Sequence, residues 1–181
     1  MNLLRTIRLD ASDTFIFDTA AEPGEWAVPG AFVFWPQNPD EFTGKARVAF
    51  RSGFLGLDSL GWSTLVQVVE VTESDRDAAV ELLAQKLVSA FGAPDIDTAR
   101  RAAAEEIAFA ASLAEQPKDT LVALHRRVDD GEIRETFRTL QPRNGGRKPA
   151  RAFSFMELEG EDEDQPGDAV DLVSLAERER K

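Results

Sequence analysis

Asp130-Gly131 lies between two stretches of alternating polarity, Leu121 to Val128 and Glu132 to Leu140. An Asp-Gly pair supplies both positive-φ residues of a type I′ turn, whose twist suits two antiparallel strands. The turn sets the register, and the register sets the faces, because side chains alternate with a period of two. A two-residue loop places Val128 opposite Ile133, Arg126 opposite Glu135 and Leu124 opposite Phe137. The other face then carries Arg127 with Arg134, His125 with Thr136, and Ala123 with Arg138. One dipeptide thus gathers four basic residues on one side of a hairpin. A three-residue loop with a bulge would shift these pairs.

Upstream, periodicity predicts two long helices. Ser74 is placed to cap the first, with Asp77 closing a capping box. Val80, Leu83, Leu87 and Phe91 recur at helical spacing, and Gly92 and Pro94 end the run. The second helix spans about Thr98 to Glu115, with Ala99, Ala103, Ile107, Ala110 and Ala114 as a stripe of small side chains suited to close packing. Strands are expected at Leu3 to Leu9 on a sheet edge, at Thr14 to Asp18, and at Ala31 to Trp35 as a central strand covered on both faces. Trp62 to Val71 is the clearest strand, since β-branched residues dominate it. A short helix is expected over Glu41 to Arg51.

The 181 residues suggest one domain and a tail. Past Pro142 the composition changes. Arg143 to Arg151 is basic and rich in Gly and Pro, and reads as a linker. Glu157 to Asp171 holds eight acids and no base, a composition that favours disorder. The expected division is a globular domain over 1–143 and a linker with an acidic tail over 144–181.

Composition limits the chemistry. There is no cysteine and one histidine, which argues against disulfides, thiolate catalysis and a structural zinc site. A net charge of -12 disfavours nucleic acid as a general partner. No apolar stretch has the length of a signal peptide or a membrane span, so a cytoplasmic location without membrane contact is the expectation. The charge is also segregated. Arg126 to Arg151 holds eight Lys or Arg against four acids, a net +4, which leaves -16 for the rest of the chain.

The glycines of RSGFLGLDSLGWSTLVQVVEV (Arg51 to Val71) do not match a phosphate-binding loop. No Gly-Lys-Ser/Thr follows, and the strand comes after the glycines. They are read as permitting positive φ in turns. Trp26, Trp35, Phe54 and Trp62 are candidates for an aromatic pocket or loop, against the plainer reading of aromatic core. His125 is the only imidazole. As a general base it would need an orienting carboxylate and a nucleophile in reach, and neither Ser52 nor Ser63 lies in a nucleophile elbow. Glu22, Glu25, Glu105 and Glu106 are read as solvated charge rather than an acid pair. His125, Arg127, Arg134 and Arg138 remain as candidate contacts for an anion or an acidic partner, because arginine pairs well with carboxylate and phosphate.

The stretches RTIRLDASDTFIF, AEPGEWAVPGAFVFW, FRSGFLG, GWSTLVQVVE, EEIAFAASL and GEIRETFRTLQPR together resemble a small bacterial family of unknown function. The resemblance covers residues 3 to 143. It implies that the domain ends near Arg143 with the tail as an appendage, and it brings no catalytic residue, cofactor or mechanism.

The expected fold is α+β: a largely antiparallel sheet of five to six strands, two long helices on one face and a disordered acidic tail. The expected function is a non-enzymatic binding or accessory module for a protein partner, with no cofactor and no metal. The alternative is a small enzyme or binder for a small anionic ligand that uses the Arg/His face of the hairpin. A third expectation is that residues 157–171 mask that face.

Overall fold

A computed structural model describes residues 1–142 and the strand 153–158. The elements run β1 (Asn2–Ile7), α1 (Ser12–Ile16), β2 (Ala27–Val28), two 3-10 turns (Ala31–Phe34 and Pro39–Glu41), α2 (Gly44–Ser52), β3 (Phe54–Gly56), β4 (Trp62–Ser63) and β5 (Leu65–Glu70). They continue with α3 (Glu73–Phe91), α4 (Ile96–Leu113), β6 (Leu121–Asp129), β7 (Glu132–Pro142) and β8 (Phe153–Leu158). The fold is α+β with antiparallel sheets, as the sequence implies. Instead of one sheet of five or six strands, there is a five-stranded sheet, β1-β5-β6-β7-β8, and a separate three-stranded sheet, β2-β3-β4.

The second sheet exists because the run from Trp62 to Val71 is broken at Thr64. The Thr64 N–H and hydroxyl donate to the Asp13 carboxylate at 3.2 and 2.8 Å, and the Ser63 hydroxyl donates to the Leu65 carbonyl at 2.7 Å. Such local side-chain bonds compete with a strand ladder. The chain leaves β4, paired with β3, and enters β5, paired with β1 and β6.

The hairpin follows the expected register. Asp130 and Gly131 have φ of 48° and 81°, and the pairs Arg126–Glu135, Leu124–Phe137, His125–Thr136 and Arg127–Arg134 lie directly opposite one another. One face of the large sheet is core: Leu4, Thr6, Val66, Val68, Val122, Leu124, Phe137 and Thr139 are all buried. Helix α4 lies against β1 and β2 and packs on α3. Its stripe of Ala99, Ala103, Ile107 and Ala110 is at most 1% exposed, so small side chains do permit close approach. Thr72, not Ser74, caps α3. Its hydroxyl accepts from Asp75 N–H while the Asp75 carboxylate accepts from Thr72 N–H, so the capping box sits two residues earlier than the pattern suggested. Gly92, in the left-handed region, ends the helix.

Two expected strands are helical turns. Thr14 to Asp18 falls largely in α1, which the Asp10 carboxylate starts by accepting from Ser12 N–H at 2.8 Å. Ala31 to Trp35 forms a 3-10 turn after Gly30, whose φ of 74° swings the chain out of an extended path. Apolar residues in both alternating positions suggested a strand, but the turn sends Phe34 inward and Trp35 to solvent. The glycines of the Arg51 to Val71 stretch also act differently from the reading above. Gly53, Gly56 and Gly61 do not have positive φ. A Cβ on Gly53 would meet the Trp62 ring at 2.7 Å, and one on Gly61 would meet the Ala20–Ala21 backbone at 2.6 Å. They are needed for close approach.

Arg126 joins these parts. It is 0% exposed. Its guanidinium donates to the Glu135 carboxylate and the Phe50 carbonyl, both at 2.7 Å, to the Pro29 carbonyl at 2.5 Å and to the Gly53 carbonyl at 3.4 Å. It also lies over the Phe34 ring, 5.3 Å from its centroid. Burial pulls the Arg126 pKa down and the Glu135 carboxylate opposes that pull. The group keeps its charge, because arginine does not deprotonate in proteins. Removing one partner of a buried pair strands the other charge, at a cost of about 3–5 kcal/mol. Arg126→Met is therefore expected to lower the stability measured by urea unfolding by about that amount. The double variant Arg126→Met/Glu135→Leu is expected to be less unstable than the single one. Equal loss in the two would show that Glu135 is not the charge being stranded.

Candidate functional site

The outer face of the β6–β7 hairpin brings together all four basic residues expected there. His125, Arg127 and Arg138 are exposed and Arg134 is half-buried. Arg127 and Arg134 lie directly opposite each other, an arrangement that costs stability unless an anion intervenes. Asp129 supplies one. Its Oδ2 is 3.2 Å from Arg134 Nε and 3.9 Å from Arg127 Nη2. These side chains stay 41–58% exposed, so the pairs add little stability. Arg138 lies opposite Glu157 of β8 in the next ladder.

The His125 pKa is lowered, first by burial and then by the positive charges of Arg51, Arg138 and Arg127. Its electrostatic surroundings are cationic, whereas a general base of the usual kind is oriented by a carboxylate. His125 lies opposite Thr136 on the exposed strand face. Its imidazole is expected to titrate by NMR below the ordinary value of about 6.5, and its midpoint is expected to rise with added salt as the arginine charges are screened. A salt-independent midpoint would remove the arginines as the cause.

The four aromatic candidates are not assembled into one pocket. Phe54 is fully buried, 6.3 Å from the Phe137 ring. Trp62 stacks on Phe34, with centroids 5.1 Å apart. Trp26 carries the Arg5 guanidinium 3.6 Å above its ring. Trp35 is 73% exposed and lines a cleft of about 320 Å³ with Phe34, Gln37, Pro39, Val128, Gly131, Glu132 and Ile133. A second cleft, of about 580 Å³, lies where the start of β1 meets the end of α4 and includes Met1, Arg76 and Ser112. His125 lines neither.

Among the carboxylates, Glu22 and Glu105 are exposed. Glu25 is buried and accepts the backbone N–H groups of Glu22, Asp58 and Ser59 at 2.6, 2.9 and 2.9 Å. It pins the loop before β4, which makes it structural rather than solvated. Glu106 accepts the Gly30 N–H at 3.0 Å. Burial raises its pKa, the Gly30 bond and Arg126 pull it down, and the Glu135 charge raises it. The native state therefore holds this proton to higher pH than the unfolded chain does. Stability then falls as pH rises from the unfolded value of about 4.3 through the raised folded value. Glu106→Gln keeps an oxygen for Gly30, so it is expected to flatten that slope and to match or exceed the wild type in stability at pH 7. An unchanged pH profile in thermal unfolding would assign the slope to another group.

Among the described residues, no group of three or more His, Asp or Glu is placed to hold a metal ion, and no helix is long and apolar enough to cross a membrane. Arg126 was not among the candidates, although its position between Leu124 and Val128 on the apolar face marked it in the sequence. The model of a family described as "Family of unknown function (DUF6505)" matches residues 1–152. No curated protein and no solved structure matches the chain.

Proposed function

We propose that the chain, which belongs to this family of unknown function, is a non-enzymatic binding module that engages an acidic segment of a protein partner through the outer face of its β6–β7 hairpin. One observation supports the reading above the others: His125, Arg127, Arg134 and Arg138 share a sheet face in an otherwise strongly acidic chain. Positive charge grouped in this way steers and orients an acidic partner more than it adds raw affinity. Neither described cleft includes any of these four residues. A small-molecule enzyme needs a concave pocket around its acid and base, which leaves the anionic-ligand reading second. The setting proposed is the cytoplasm.

The acidic tail is the internal competitor in this scheme. Residues 159–171 lie outside the described residues and enter through their composition alone. The described strand β8 brings the chain to Glu157, opposite Arg138, immediately before that acidic run. The five-stranded sheet runs on to β8 (Phe153–Leu158), past the division expected near Arg143, so the regulating segment is proposed to be the acidic run that follows β8.

The test uses a fluorescein-labelled peptide rich in glutamate. Full-length protein is expected to bind it at low salt and to lose it as salt rises. Arg127→Glu with Arg138→Glu is expected to weaken binding about tenfold or more. Replacing Glu159, Glu161, Asp162, Glu163 and Asp164 by their amides is expected to strengthen it. Equal binding by the arginine variant would overturn the face assignment, and unchanged or weaker binding by the amide variant would remove the tail's role.

A further inference from the structure

We infer that residues 170–175 of this chain dock on the apolar half of the outer face of the five-stranded sheet and hold the acidic run before them over the basic half. The inference deepens the proposed role of the acidic tail as internal competitor, and rests on it for the contact between acids and arginines. The face divides along β6. Leu121 and Ala123 point outward at its start, His125 and Arg127 towards its end. The ladders extend the apolar half across four strands. Leu65 lies opposite both Ile7 and Ala123, and Leu121 lies opposite Leu140. Leu121 is 8% exposed and the other four are half-buried. None of the five belongs to, or packs against, either core cluster. They form an apolar patch of their own on the side of the sheet away from the core. Single surface apolar residues need no explanation, whereas an adjoining set bordered by charge marks a contact site.

Sequence selects the occupant. Residues 159–175 lie outside the described residues and enter through their sequence alone. Glu159, Glu161, Asp162, Glu163 and Asp164 come first, Pro166-Gly167 follows, and then come Val170, Leu172, Val173 and Leu175. Acids, a turn signal and an apolar group stand in the order that the face requires. β8 is antiparallel to β7 and runs from Phe153, opposite Pro142, to Leu158, opposite Phe137. Its direction carries the chain towards Thr136 and Arg134, which is the basic half. The acids therefore leave the sheet on the side of Arg134, Arg127 and His125, where carboxylates pair with guanidinium groups. A reversal at Pro166-Gly167 then sends residues 170–175 back towards Ala123, Leu121 and Leu65.

The reach is sufficient. β5 lies three strand spacings from β8, about 14 Å, and residues 159–169 span about 36 Å at most. Tethering at β8 gives the segment an effective concentration of about millimolar, an advantage that a separate partner with the same contacts lacks. A second copy of the chain would present an identical face, with arginines rather than acids to meet His125, Arg127 and Arg138. The chain's own segment matches both halves of the face.

The chain has no cysteine, so Glu177→Cys takes a single nitroxide label just beyond the docking segment. The readout on full-length protein is the methyl signals of Ile7, Leu65, Leu121, Ala123 and Leu140, compared before and after the nitroxide is reduced. All five are expected to lose most of their intensity while the label is paramagnetic. Val88, near the far end of α3, is expected to keep its signal. Adding Leu172→Ser and Leu175→Ser is expected to restore all five. No loss in the labelled protein would overturn the inference. So would a loss that survives the two serine substitutions, which would show that charge alone holds the tail. A mixture of labelled protein with isotope-enriched, unlabelled protein tests for a second copy, and loss there would overturn the assignment to the same chain. Glutamate-rich peptide binding without any methyl loss would sink the docking alone. Methyl loss without peptide binding by any variant would sink the partner site alone.

Discussion

A single buried guanidinium ties the hairpin to the rest of the molecule. Arg126 leaves β6 on the apolar side, meets Glu135 across the ladder and collects the carbonyls of Pro29, Phe50 and Gly53. Those carbonyls sit before the first 3-10 turn, in α2 and just ahead of β3. They belong to segments that share no strand pairing with β6, so the arginine does what a ladder cannot. Its desolvation is offset because hydrogen-bond acceptors and the Phe34 face surround the planar group. An alkyl side chain would leave three carbonyls and a carboxylate facing a dry interior.

The same anchoring sorts the hairpin's two sides into different tasks. Along β6, residues 122, 124, 126 and 128 face inward, and the core and Arg126 hold them. Residues 123, 125 and 127 face outward. Arg126 and Arg127 are adjacent in the chain and differ completely in role. The first is 0% exposed, and the second has a side chain 58% exposed. The hairpin tip adds a third region. There the strands run past the core, the carboxylates outnumber the bases, and Trp35 stands beside them.

Much of this was legible from residues near in sequence. Asp130-Gly131 read as a two-residue loop predicts every pair found in the hairpin, and the bulged alternative is not adopted. The small-residue stripe of α4 and the stop at Gly92 were equally plain. The failures also share a cause. TFIFD and AFVFW carry strand-like composition, yet each forms a single helical turn, because Asp10 engages the backbone locally and Gly30 sends the chain around a corner. The capping box shifted from Ser74–Asp77 to Thr72–Asp75, a choice between two similar patterns that depends on where β5 ends. Gly53 and Gly61 were read as turn glycines, and only the position of the Trp62 ring and of the Ala20–Ala21 backbone shows that they are spacers.

The sequence by itself determined the register of the hairpin, the basic outer face that follows from it, the faces of the long helices and the segregation of charge. These depend on periodicity and on turn chemistry, which act over a few residues. Tertiary structure decided that the strand from Trp62 serves two sheets, that the Arg126 guanidinium ties the hairpin to the carbonyls of Pro29, Phe50 and Gly53, and that Trp35 rather than Trp26 or Trp62 stands at a cleft. Each of these depends on which distant backbone groups come within hydrogen-bonding distance. That is a property of packing in three dimensions, and no local pattern encodes it.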